Sequence, residues 1–197
     1  MEGGGKAATK GEIRRGLRGF LKDISALARE KNTPQPLVIA CGSRESTFEA
    51  FSIAMRSDPQ SFNVLLVDSD APVNDTPRKH LQKQSRGWKL QGIADEQCHL
   101  MVQMMEAWIV ADIEALEKYY GQGFKRNSIP RTTDVELIDK VQLMRALKSA
   151  TRKTQKGEYS KTGHAPDVLQ RLDASKVRRA ARHCELFFAA LEKKVNG

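Results

Sequence analysis

The chain has 197 residues, 40% of them hydrophobic and 6% aromatic, with 33 Lys and Arg against 24 Asp and Glu. That length suits one hydrophobic core rather than two. No run nears the ~20 apolar residues of a membrane span, and the opening MEGGGKAATK lacks the apolar stretch of a secretory signal, so a cytoplasmic protein with no membrane partner is expected. Cys41, Cys98 and Cys184 are scattered and odd in number, which argues against both a disulfide framework and a CxxC zinc site.

Ile13, Leu17, Leu21, Ile24 and Leu27 recur every three or four residues and predict one helix over 10–30. The short apolar run Leu37-Val38-Ile39-Ala40-Cys41, ended by Gly42, predicts a strand covered on both faces. A helix over 43–57 follows, and then a second buried strand, Asn63-Val64-Leu65-Leu66-Val67, runs into Asp68-Ser69-Asp70. The alternation of helix and strand implies an α/β fold with a parallel sheet. Residues 74–97 are expected to form a long surface loop around Arg86-Gly87-Trp88, followed by a strand over 99–103, one helix over 104–120 and loop over 121–139. Three further helices are predicted near 139–151, 165–172 and 175–195. Only 153–162 reads as a stretch without fixed structure.

Charge divides the chain. Residues 1–139 hold 19 basic and 19 acidic side chains, whereas 140–182 hold 12 basic and 3 acidic, an excess of nine that equals the whole net charge. Two units are therefore expected, a core over 1–139 and a basic helical extension over 140–197 packed on it. A polyanionic partner, nucleic acid ahead of an anionic membrane, fits this asymmetry, and the alternative is a solvated basic surface. The cations placed at a phosphate backbone are Arg44, Lys148, Arg152, Lys153, Lys156, Lys161, Arg178 and Arg179.

Ligands of open α/β sheets bind beyond the carboxyl ends of the strands, where Asp68 and Asp70 fall. Two carboxylates two residues apart share a side of the strand, and the turn at Pro72 can bring both to one cation; otherwise they cap that turn. Glu106 sits within the apolar stretch 104–111 and needs a partner, either a cation or an arginine such as Arg44. Trp108 reads as core. Glu2-Gly3-Gly4-Gly5 adds a carboxylate before a helix start, but the glycines do not make a Walker loop. The stretch 153–164 mixes cations, hydroxyls and Tyr159, suiting either a phosphate backbone or plain solvent. His164 is a weak acid or base candidate, and His80, His99 and His183 are assigned no role.

Together Glu2-Gly3-Gly4-Gly5, Asp68-Ser69-Asp70 and Gln103-Met104-Met105-Glu106-Ala107-Trp108 resemble a Toprim-like family of uncharacterised bacterial proteins related to the RloB and OLD nucleases. Ala40-Cys41-Gly42-Ser43-Arg44, Gln97-Cys98-His99-Leu100, Tyr159-x-Lys161 and the final helix extend the resemblance over nearly the whole chain. It implies a Toprim-like parallel sheet sandwiched by helices, with Mg²⁺ or Mn²⁺ held by Glu2, Asp68 and Asp70 for phosphodiester cleavage. Glu106 matches an additional acid of the OLD-like branch, and Lys161 a basic residue near the scissile phosphate. An ABC- or SMC-type ATPase partner in phage defence is implied as well. In Toprim folds the glutamate ends a central first strand; only Met1 precedes Glu2 here, so that strand is expected to be missing. Two rival readings are a non-catalytic nucleic-acid-binding or ATPase-regulating subunit and a small-molecule phosphotransferase or phosphatase.

Overall fold

The computed structural model describes residues 7–85 and 87–197. It is a mixed α/β structure built on two short parallel strands, β1 (Leu65–Asp68) and β2 (Cys98–Met101), paired with Leu65 opposite Cys98 and Asp68 opposite Met101. Ten helices surround them among the described residues: α1 (Ala7–Phe20), α2 (Lys22–Glu30), α3 (Arg44–Ser57), α4 (Pro77–Gln84), α5 (Glu106–Ala111), α6 (Ile113–Tyr120), α7 (Lys140–Thr151), α8 (Ala165–Leu169), α9 (Ala174–Ala180) and α10 (Arg182–Asn196).

Both faces of the strands are covered, as continuous apolar runs require. Leu66 and Met101 join a large core that reaches from Ile13 on α1 to Val195 on α10, while Leu65, Val67, Cys98 and Leu100 join a smaller one with Phe51 and Leu81. At the centre of the large core the Phe20 ring lies 5.5 Å from Trp108 and 5.3 Å, edge-on, from Phe188. Helices from the two ends of the chain thus bury their apolar faces together.

Several predicted elements differ from the observed ones, each for a local reason. The run 37–41 is extended but forms no strand among the described residues; Val38 and Ala40 pack on the core while Leu37 (83% exposed) and Ile39 (61%) face outward, so only one side is covered. The helix predicted over 10–30 divides at Leu21 (φ −90°, ψ 14°), although Leu21 N–H still donates to the Leu17 carbonyl and Ser25 N–H to that of Leu21. The helix over 104–120 divides at Asp112, whose Oδ1 caps α6 by accepting from Ala115 N–H. The helix over 175–195 divides at Ala181 (φ −137°, ψ 104°), and the buried Glu136 carboxylate caps the new start by accepting from the backbone N–H and Nδ1 of His183, each at 2.7 Å. The surface loop expected over 74–97 contains α4, announced by a Thr76 cap and Pro77. The stretch 153–162 is not loose, because Thr154 and Tyr159 are buried and Tyr159 N–H donates to Thr151 Oγ1 at 2.7 Å.

Helices α1 and α8 meet at two glycines. A Cβ on Gly16 would lie 2.6 Å from the Pro166 carbonyl oxygen, and one on Gly19 would lie 2.6 Å from Gln170 Cβ. Gly16→Ala is therefore expected to lower unfolding free energy by about 1–3 kcal/mol in urea titration. Gly11→Ala, with nothing within 4 Å, should be neutral or slightly stabilising.

His99 on β2 is buried, its Nε2 donating to the Glu96 carbonyl at 2.9 Å, and burial holds the imidazole below its usual range. The unfolded chain takes up the proton near pH 6.5 while the folded chain does so only at lower pH, so stability falls as pH drops below about 6.5. His99→Gln should make that slope shallower in denaturation midpoints measured between pH 7 and pH 5.

Candidate functional site

The carboxyl ends of β1 and β2 stay joined beyond the strands, because Ser69 N–H donates to the Met101 carbonyl and Asp70 N–H to that of Gln103. This brace places Asp68, the last residue of β1, beside the start of α5. Asp68 is buried; its Oδ1 accepts from Met105 N–H at 2.9 Å and its Oδ2 lies 3.4 Å from Lys161 Nζ. The same ammonium lies 3.7 Å from Oε2 of Glu106, which is 0% exposed. Glu106 Oε1 accepts from the Tyr159 hydroxyl at 3.0 Å, but among the described residues Oε2 has no hydrogen-bond donor. Burial, reinforced by the Glu106 charge, pushes the Tyr159 hydroxyl well above its usual range, so it remains a donor.

Asp70 turns away from this pair. It adopts φ 59°, a left-handed conformation that aspartate tolerates better than most residues, and its exposed carboxylate meets Arg44 at 3.3 Å and Lys140 at 3.1 Å. Arg44, the first residue of α3, also donates to the Asp68 carbonyl at 2.6 Å and to Ser85 Oγ, with its guanidinium 5.2 Å from the Trp88 ring centroid. Its work is to clamp the turn that carries both aspartates. Glu106 is partnered by Tyr159 and Lys161, and Arg44 by Asp70, so the proposed Arg44–Glu106 pairing is not formed.

Glu2 lies outside the described residues. Among the described residues no group of three or more His, Cys, Asp or Glu converges to hold a metal ion. Asp68 and Glu106, joined through one ammonium, are nonetheless the donor set that Mg²⁺ uses when one or two carboxylates share it with waters and substrate phosphates, and the orphaned Glu106 oxygen fits that use.

The basic residues separate into different places. Lys148 pairs with Glu158 at 3.2 Å, Lys156 stands 4.8 Å over the Tyr119 ring, and Arg152 and Lys153 are exposed. Arg178 is bound by both Glu185 and Glu192, which raise its pKa, and Arg179 donates to Ser175 Oγ at 3.4 Å. His164 accepts from the Tyr120 hydroxyl at 3.0 Å, and burial lowers its pKa, which suits a neutral bracing role. Sequence reasoning missed Lys140 and the donor role of Tyr159, whose one signal was its place two residues before Lys161. It also missed the buried Asp112, which accepts from Asp173 N–H and Lys176 Nζ and joins α6 to α9.

Residues 2–192 match the family model described as a domain of unknown function, DUF4276. The chain belongs to this family. No curated protein and no solved structure matches it.

The buried carboxylates require Lys161. Lys161→Met should lower stability by about 2–4 kcal/mol by taking the ammonium partner from the buried Glu106 carboxyl. The double variant Lys161→Met/Glu106→Gln should recover at least half of that loss in the same urea titration, because the amide carries no charge.

Proposed function

We propose that this chain is a metal-dependent nuclease, hydrolysing phosphodiester bonds of DNA or RNA at the carboxyl ends of β1 and β2. The observation that carries the reading is the pair of buried carboxylates, Asp68 and Glu106, facing the half-exposed Lys161 at that edge. Two desolvated carboxylates sharing one ammonium are costly as scaffolding and well suited to divalent-cation and phosphate chemistry. The resemblance to Toprim-like nucleases supports the same reading.

Asp68 and Glu106 would hold Mg²⁺ or Mn²⁺, with Glu2 the further ligand that the resemblance implies. The ion supplies charge for the attacked phosphoryl group and a more acidic bound water. Met105 N–H and the Tyr159 hydroxyl each fix one carboxylate oxygen, leaving Asp68 Oδ2 and Glu106 Oε2 turned toward Lys161. Lys161 holds a positive charge where a phosphate oxygen would enter. Arg44 and Lys140 set the Asp70 turn, and Arg152 and Lys153 lie exposed near the start of the stretch that carries Tyr159 and Lys161. An ATPase partner in phage defence belongs to the proposal. The non-catalytic reading has its own support in the lack of a third ligand among the described residues.

The test is cleavage of supercoiled plasmid, linear DNA, single strands and total tRNA with Mg²⁺ or Mn²⁺. Metal-dependent cleavage by the parent, lost at least ~100-fold in Asp68→Asn while melting temperature and nucleic-acid binding stay close to the parent's, is the expected result. No cleavage of any substrate with either ion, or equal cleavage by the variant, overturns the reading.

A further inference from the structure

Five of the twelve cations of 140–182 are engaged by carboxylates within the chain: Lys140, Lys148, Lys161, Lys176 and Arg178. A different set is not. Arg14 and Arg18, four residues apart, share a face of α1, and Lys22 and Arg29, seven apart, share a face of α2. All four are exposed, and their side chains make no ion pair or hydrogen bond among the described residues. The opposite face buries Ile13, Leu17, Ile24 and Ala28, so the cations ride on packed helices rather than on a loose tail.

Arg18, Lys22 and Arg29 line a groove of about 440 Å³ together with Ser25, Gln35, Pro36 and Leu37. Among the described residues no acid stands in that wall. The groove therefore offers charge, two polar side chains and an exposed leucine, a combination suited to phosphate, sugar hydroxyl and the apolar face of a sugar or base. At about 1.5 Å per residue the stretch from Arg18 to Arg29 covers about 16 Å, long enough to meet more than one phosphate. Arginine's planar fork can bind two phosphate oxygens at once. From Leu37 at the groove to Arg44 at the Asp68 turn the chain can extend no more than ~25 Å, so one strand can touch both places.

We propose that this α1–α2 groove binds the sugar-phosphate backbone of a single-stranded nucleic acid and leads it toward the β1–β2 edge. The substrate class rests on the nuclease reading; the binding itself does not require cleavage.

Fluorescence anisotropy of a labelled 20-nucleotide DNA strand, an RNA strand and a DNA duplex, with EDTA and at 50–200 mM NaCl, tests it on the full chain. Arg18→Gln/Lys22→Gln/Arg29→Gln should weaken single-strand binding at least ~10-fold and reduce the slope of log affinity against log salt by about two. A control of equal charge, Lys79→Gln/Lys118→Gln/Lys194→Gln, should weaken it by less than about threefold. Equal losses in the two triple variants, no loss in the first, or no nucleic-acid binding by the parent overturns the proposal. Groove-dependent binding of phosphatidylserine vesicles or poly-glutamate in place of nucleic acid also overturns it. Cleavage by the parent with unchanged binding in the groove variant would remove the groove and leave the nuclease; groove-dependent binding without cleavage would do the reverse.

Discussion

Two carboxylates buried at the ends of parallel strands cannot both stay charged without a cation, and Lys161 is that cation for Asp68 and Glu106. Much of the surrounding structure serves this constraint. The stretch after α7 must bring Tyr159 and Lys161 back across the strand ends, which requires Thr151 to hold the Tyr159 backbone and Tyr159 to hold Glu106. The same interaction ties a residue of the basic C-terminal part to the acidic strand end of the N-terminal part. Among the described residues, that ammonium is the cation both buried carboxylates face.

Acidic side chains elsewhere play a comparable joining role. Glu136 starts α10 through His183, and Asp112 starts α6 while holding α9 through the backbone of Asp173 and the side chain of Lys176. Each interrupts what would otherwise be a longer helix. The resulting short helices change direction often enough to wrap two small strands, and the close approach of α1 and α8 at Gly16 and Gly19 lets the two chain ends share one core.

Apolar periodicity identified most helical faces, and the runs before Asp68 and Gln103 marked both strands to within a few residues. The run before Gly42 misled because an apolar sequence does not state whether a neighbour exists to cover both sides; Leu37 and Ile39 lack that cover. Helix breaks at Asp112 and Ala181 were invisible to periodicity, since the residues on either side continue the same apolar pattern. At the site, Asp68, Glu106 and Lys161 were all singled out and the fold brings them together. Asp70 instead sits with Arg44 and Lys140 because its left-handed backbone redirects the carboxylate.

What the sequence by itself determined is the α/β class, the position of an acidic turn at a strand end, and a chain whose positive excess lies late in its length. Those properties follow from local pattern and from simple counting. Only the tertiary structure decided which charges remain available to a partner, because ion pairing depends on distances between residues far apart in sequence. It joined Lys161 to Glu106 and Arg178 to Glu192, and left Arg18, Lys22 and Arg29 facing an open groove. Composition adds charges wherever they stand, while the fold cancels those that meet.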